Sequence, residues 1–239
     1  MMYRFLLACT LALFLGSCLD SKEEIWLNAD GSGAALITMQ MPANIAKLHG
    51  GSSGIESTLI KYFESNPTYT GYTVETFVEK ERLEVKLAFT FDNALDLVDA
   101  TTPGSLEELP PGAKNFMGEA TIDFEGLDLV FNRRIELSKA IPGSIFFPSD
   151  RLQGHSVTTI LHLPKPAKTH NATSTENNGK TLIWITPLAD AFNRPVENIF
   201  TMPLPIPWLT LSVSGALVLL LIVTLCYYFL RKRLKRAVT

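Results

Sequence analysis

Four histidines, His49, His155, His162 and His170, are the side chains best suited to metal or acid–base chemistry. A zinc site of the common kind sets His-x-x-x-His on one helix face with an acid nearby, and none of the four has that spacing. His162 falls between Leu161 and Leu163, which places it on the polar face of a strand. Gly154-His155-Ser156-Val157 sets a nucleophile type beside a base type. It lacks the closing glycine of a nucleophile elbow, and its strand follows the motif where an elbow's strand precedes it. Gly50-Gly51-Ser52-Ser53-Gly54 precedes a helix and could offer amides to a phosphate. Without a lysine of the P-loop kind or a preceding strand, it reads as a joint or helix cap. Glu107-Glu108 and the group Glu79, Glu81 and Glu84 read as solvated faces. No catalytic residue, metal ligand or cofactor site is assigned. The candidates for ligand binding are Phe146 and Phe147, followed by Pro148. They would rim a pocket or touch a membrane; loop aromatics folded back on the core are the alternative.

The elements that must position these residues are dictated by the end of the chain. Trp208–Leu230 is 23 residues without a formal charge, nearly all apolar. A hydrocarbon core of about 30 Å needs roughly 20 helical residues. With no water for its backbone groups, a single span must be helical. Trp208 at one end and Tyr227 and Tyr228 near the other suit the two interfaces. Arg231, Lys232, Arg233, Lys235 and Arg236 follow within six positions. By the positive-inside rule, the tail 231–239 is cytoplasmic and the residues before Trp208 lie outside. Within the span, Ser212, Ser214, Gly215 and Ala216 make a limited small-residue face without Gly-x-x-x-Gly. Cys226, near the inner end, reads as a small apolar residue, with palmitoylation as the alternative.

The first 17 residues carry Arg4, then an apolar run from Phe5 to Leu15, then small residues. That is a secretory signal, too short for a second span. Leu15-Gly16-Ser17-Cys18 resembles the bacterial lipoprotein lipobox. The resemblance implies cleavage before Cys18 and diacylglycerol on the Cys18 sulfur. An ordinary signal peptide with an incidental cysteine is the alternative. Asn171-Ala172-Thr173 has the form of a glycosylation acceptor, which a bacterial lipoprotein would not use.

The exported part, residues 18–207, holds no cysteine besides Cys18. No internal disulfide is available to it, so its core must hold it. It carries all 24 acidic residues against 15 basic ones, a net charge near −9. That excludes a general nucleic-acid binder and disfavours whole-surface attraction to anionic lipid.

Along this part, Glu23–Asn28 and Ala34–Met41 read as a hairpin around Asp30-Gly31-Ser32-Gly33. Pro42 opens a helical segment, interrupted by the Gly-Ser stretch 50–54. A second helix over Ile55–Ser65 places Ile55, Leu59, Ile60 and Phe63 on one face. Strands Tyr72–Glu79 and Arg82–Phe91 follow; in the second, Leu83, Val85, Leu87, Phe89 and Phe91 alternate with Glu84, Lys86 and Thr90. Asp92 is positioned to cap a short helix carrying Leu95, Leu97 and Val98. Further strands are expected at Phe116–Phe124, Leu127–Leu137, Val157–Leu163, Leu182–Thr186 and Val196–Thr201, with Lys165–Lys180 as a long hairpin loop. Pro203, Pro205 and Pro207 form a stiff leader into the span. The expected class is α+β: one antiparallel sheet with two or more helices on one side, plus one C-terminal transmembrane helix.

In its layout and short patterns the chain resembles the LppM-type lipoproteins of mycobacteria. The shared pattern runs from the lipobox through Trp26 and Asp30-Gly31-Ser32-Gly33 to Leu163-Pro164, Asn171-Ala172, Leu182-Ile183-Trp184 and the basic-tailed span. The resemblance implies a non-enzymatic, membrane-tethered domain, with lipid binding of the phosphatidylinositol-mannoside type associated with the mycobacterial form. The expected function is a membrane-anchored bacterial lipoprotein of the inner membrane, single-pass, with its domain outside. That domain would bind envelope lipid or a protein partner at the membrane surface, and no nucleic acid. The alternatives are an envelope hydrolase using Ser156 and His155, or a structural subunit of a membrane complex.

Overall fold

Burial confirms the alternation at Arg82–Phe91: Leu83, Val85, Leu87 and Phe91 are buried while Glu84 and Lys86 stay partly exposed. The computed structural model describes residues 20–48, 50–66, 68–100, 118–140, 152–205 and 220–222. In chain order the elements are β1 Asp20–Leu27, β2 Gly33–Pro42, α1 Ala43–Leu48, α2 Gly51–Ser65, β3 Tyr69–Glu79, β4 Arg82–Phe91 and α3 Ala94–Ala100. Then come β5 Glu119–Glu125, β6 Asp128–Ile135, α4 Leu137–Ala140, β7 Ser156–His162, β8 Thr169–His170, β9 Ser174–Glu176, β10 Thr181–Pro187, α5 Leu188–Asn193 and β11 Val196–Pro203. Residues to 204 form one unit and residues from 205 a second. Of the second beyond Pro205, only Leu220–Ile222 are described, helical and exposed. Among the described residues, no helix is long and apolar enough to cross a membrane.

The class is α+β, dominated by sheet, but the strands form two sheets where one was expected. A seven-stranded sheet has the order β3-β4-β2-β1-β7-β10-β9 and a four-stranded sheet the order β5-β6-β11-β8. Nor is the larger sheet wholly antiparallel. β1 lies parallel to β7, Ser21 opposite Val157 and Trp26 opposite His162. Parallel neighbours cannot be joined by a tight turn, and here the whole of residues 28–155 makes the connection. No local pattern in either strand records such a pairing.

One face of the larger sheet is covered. Over β2, β3 and β4, helix α2 lays Ile55, Leu59, Tyr62 and Phe63 onto Met39, Leu83, Val85 and Leu87. Positions 55, 59, 62 and 63 share one helix face. Tyr69 packs there too; desolvation first, then its hydroxyl contact with Tyr62, pushes the phenol pKa up. Over β1, β7 and β10 the same face is covered by the second sheet: Leu161, Leu182 and Trp184 meet Phe200 and Met202. The four-stranded sheet thus takes the place of helices on this half. At one end, α4, α5 and Leu152 close the layer with Val157 and Val196.

Several local expectations are corrected. The helix begins at Gly51, so the Gly-Ser stretch is its first turn, entered through Gly50 at φ 84. The α3 N-terminus is served by Asn93, whose Oδ1 accepts from Leu95 N–H at 3.1 Å, and Asp92 is not the cap seen there. Lys165–Lys180 is no simple loop: it gives β8 to the small sheet and β9 to the large one. Leu182–Thr186 and Val196–Thr201 likewise fall in different sheets.

Gly33 marks the tightest point of the β1–β2 hairpin. A Cβ there would lie 2.2 Å from the Trp26 carbonyl oxygen and 2.4 Å from the Phe91 ring. We expect Gly33→Ala to cost at least about 1–3 kcal/mol, as overpacking does, read as a lowered denaturation midpoint of the detergent-solubilised chain. An unchanged midpoint would refute this close approach.

Candidate functional site

Most residues singled out by sequence lie outside the described residues: Cys18, His49, Phe146, Phe147, Trp208, Tyr227, Tyr228, Arg231, Lys232 and Arg233. Among the described residues, no group of three or more histidine, cysteine or acidic side chains is placed to hold a metal. What the fold brings together instead are a seam between the sheets, two histidine–carboxylate pairs and a buried polar layer.

The seam is built on Asn171, between β8 and β9. Its Oδ1 accepts from Trp184 Nε1–H on β10 at 2.7 Å and from Ile199 N–H on β11 at 2.8 Å. Its Nδ2 donates to the Glu197 carbonyl at 2.8 Å. Thr173 Oγ1 accepts from Ile185 N–H at 3.0 Å. One short loop therefore satisfies open edges of both sheets with side chains, where a further strand would otherwise be needed. Beside it is a groove of about 400 Å³ lined by Thr186, Arg194 and Glu197 as well as these residues. Arg194 is its exposed cation, bonded to Asp190 at 3.2 Å.

The other face of the larger sheet carries the histidines. His162 projects away from the second sheet and stacks on Trp26, ring centroids 5.2 Å apart and nearly parallel. Its Nε2 donates to Glu24 at 3.0 Å, since a carboxylate can only accept. Its Nδ1 meets the Thr181 hydroxyl at 3.1 Å, which in turn accepts from Asn177. Desolvation opposes the Glu24 carboxylate, but the hydrogen bonds from His162 and Lys22 outweigh it and hold this carboxyl below its usual range. At the other end of β1, His155 Nδ1 donates to Asp20 at 2.8 Å, and Arg82 reaches the same carboxylate at 3.3 Å. The neighbouring Ser156 turns its Oγ to Thr158 at 3.4 Å, and its N–H bonds Asp20. Sequence reasoning placed His162 on a polar face correctly. It missed both acids, because Asp20 and Glu24 are more than 130 positions from their partners.

Between the two apolar clusters of the sheet interface runs a polar layer. Glu23 of β1 forms an ion pair with Arg133 of β6, both largely buried. Thr159 is buried opposite Glu23 in the β1–β7 register. Asn198, opposite Arg133, is 1 % exposed, and neither of its side-chain polar atoms has a partner among the described residues.

The sequence pattern Trp26…Asp30-Gly31-Ser32-Gly33 is explained by turn geometry. Asp30 Oδ1 accepts from both the N–H and the hydroxyl of Ser32, the bonds that lower its pKa. The Gly31 carbonyl accepts from Ala94 N–H at the start of α3.

Comparison with known proteins reaches the fold. No family model and no curated protein sequence matches the chain. The folded domain of Mycobacterium tuberculosis LppM, an NMR structure, aligns over 81 % of this chain and 94 % of that one, at TM-score 0.50 and 12 % identity. An M1 zinc metallopeptidase from Deinococcus radiodurans aligns over 80 % of this chain and 44 % of its own, at TM-score 0.29 and 13 % identity. The first defines the class as an LppM-like α+β domain at the level of fold; the second is too loose to carry an argument.

Replacing Asn171 by Ala removes acceptors from Trp184 and Ile199 together. We expect a loss of about 1–3 kcal/mol, because the buried Trp184 N–H is left without its acceptor and Ile199 N–H loses its own; denaturation followed by tryptophan fluorescence measures it, and a loss near zero would refute the seam. Glu24 supplies a pH dependence. Its folded pKa is depressed, so its stabilisation is present above the usual value of 4.5 and disappears as pH falls through the folded value. Glu24→Gln should flatten that part of the stability–pH curve, and an unaltered curve would contradict the assignment.

Proposed function

We propose that this chain is a membrane-anchored bacterial lipoprotein whose α+β domain works as a non-enzymatic binding module at the outer surface of the inner membrane. The observation that carries the reading is where the chain joins the domain. Val157 packs with Val196 at one end, and Leu161 and Leu163 pack with Phe200 and Met202 at the other, so β11 runs the same way as β7 and β1. Asp20 therefore begins β1 at one end of the sandwich, and Leu204 leaves β11 at the opposite end. Seven rises of about 3.3 Å separate these ends by roughly 23 Å. Cys18 is two residues before Asp20, and the uncharged run from Trp208 starts four residues after Leu204. With an acyl anchor at the first and a span at the second, the domain lies lengthwise along the bilayer, one long side toward the lipid.

The sandwich interior supports binding at the surface over an enclosed lipid site. Leu182, Trp184, Phe200 and Met202 fill the space between the sheets. The ligand is accordingly a lipid headgroup or an envelope protein met from outside. The Asp20–His155 pair orients a base and so supports a second reading, an envelope hydrolase with Ser156 as nucleophile, which would require the Ser156 hydroxyl to leave Thr158 and turn to His155. Labelling by a serine-directed probe, lost in Ser156→Ala, would establish it.

Two anchors make one redundant for retention, since a span is effectively permanent and acylation need not be. Cys18→Ala should stay in the membrane fraction after carbonate extraction, and a chain ending at Pro205 should stay only while Cys18 is intact. Release of Cys18→Ala into the soluble fraction would overturn the span. For binding, the purified full chain should retain envelope lipid or an envelope protein in vesicle flotation and pull-down; capture of neither would count against the module.

A further inference from the structure

The β5–β6 hairpin turns through Gly126 and Leu127 with Glu125 opposite Asp128, and Gly126 takes the positive φ of 64 that this tight loop requires. Its tip carries two large apolar side chains out of the core, Phe124 at 56 % and Leu127 at 60 % exposure. Single exposed apolar residues need no explanation, but this pair sits where the chain departs. Leu204 N–H donates to the Leu127 carbonyl at 2.9 Å. Pro203 pairs with Asp128, and Lys165 Nζ reaches the Leu204 carbonyl at 3.4 Å. Four residues, even fully extended, carry the chain no farther than about 14 Å from Leu204 to Trp208. The tip is thus leashed to the first residue of the uncharged segment 208–230.

We propose that Phe124 and Leu127 at the β5–β6 tip enter the surface of the bilayer that residues 208–230 cross. The proposal rests on the membrane reading above. A short leash keeps the tip at high local concentration near the lipid, so a two-residue contact need not be strong by itself. The charges at the tip set its depth and lipid preference. Asp128 is paired with Lys168 through both oxygens, at 2.6 and 2.7 Å. Asp123 and Glu125 are exposed and must stay in the headgroup water, so the side chains penetrate only shallowly. The same carboxylates disfavour anionic lipid, and the contact is apolar, with zwitterionic lipid sufficing.

The test uses the full chain in phosphatidylcholine vesicles, with a polarity-sensitive fluorophore on Phe124→Cys, Leu127→Cys or, as a control on the outer strand of the larger sheet, Glu176→Cys. Each is made in a Cys226→Ser parent, which is labelled in parallel for background. We expect a blue shift at 124 and 127, and quenching there by lipids spin-labelled on the acyl chain, with neither effect at 176. Free access of an aqueous quencher to 124 and 127 while the chain resists carbonate extraction would overturn the hairpin contact and leave the span standing. Protection from the aqueous quencher without lipid quenching would show a protein covering the tip, and would also overturn it. A chain extracted by carbonate would remove the span and this inference together.

Discussion

The parallel pairing of β1 with β7 is the constraint on which the rest of the domain depends. It joins the strand that follows Cys18 to one more than 130 residues later, at the middle of the seven-stranded sheet. Everything between must form a closed excursion, and it does so as two hairpins with helices and then the start of the second sheet. Because β1 is central, its two faces have different tasks. Ile25 and Leu27 face the second sheet, while Glu24 and Trp26 face outward with His162. The pairing also fixes the direction in which the chain comes in, at the Asp20 end of the sandwich.

Two interactions then set how the sheets meet. Apolar packing alone would tolerate sliding, since Leu161, Leu182, Phe200 and Met202 offer no directional contacts. The Glu23–Arg133 pair and the Asn171 bonds are directional, and each links the two sheets. A buried ion pair is weak evidence of net stability, but breaking one partner leaves a charge stranded at a cost of about 3–5 kcal/mol. Wrong registers are thereby penalised. Asn198 lies in the same layer with unfilled polar atoms, a position suited to a bound water.

Strand positions were legible where one face is buried. Leu83, Val85 and Leu87 announce β4, and Ile55, Leu59 and Phe63 announce α2, because burial and local periodicity coincide there. The split into two sheets was not legible. β10 is apolar throughout Leu182–Ile185 and β11 buries Val196, Asn198, Phe200 and Met202, and neither pattern says which sheet receives the strand. The Gly-Ser stretch misled because three of its five residues are glycine and the other two serine, all poor helix formers, yet packing of α2 on β4 extends the helix through it. Asn171 and Trp184 were visible within the pattern that resembles LppM-type lipoproteins, but their partnership depends on contacts across the fold. The acids facing His155 and His162 were hidden for the same reason.

If the proposed anchors are present, they join the sandwich at opposite ends, Asp20 and Leu204, and would lay it along the membrane. The most direct measurement is the distance of closest approach between the Asp20 end and the lipid surface. A fluorescent donor on Lys22→Cys in a Cys226→Ser background, with the full, lipidated chain in vesicles bearing acceptor lipids, reports it. A donor at Leu127→Cys provides the reference for the Leu204 end. The account predicts similar distances at the two positions. A donor at position 22 farther from the lipid by about a strand length, roughly 23 Å, would show a domain standing upright on one anchor and would contradict it.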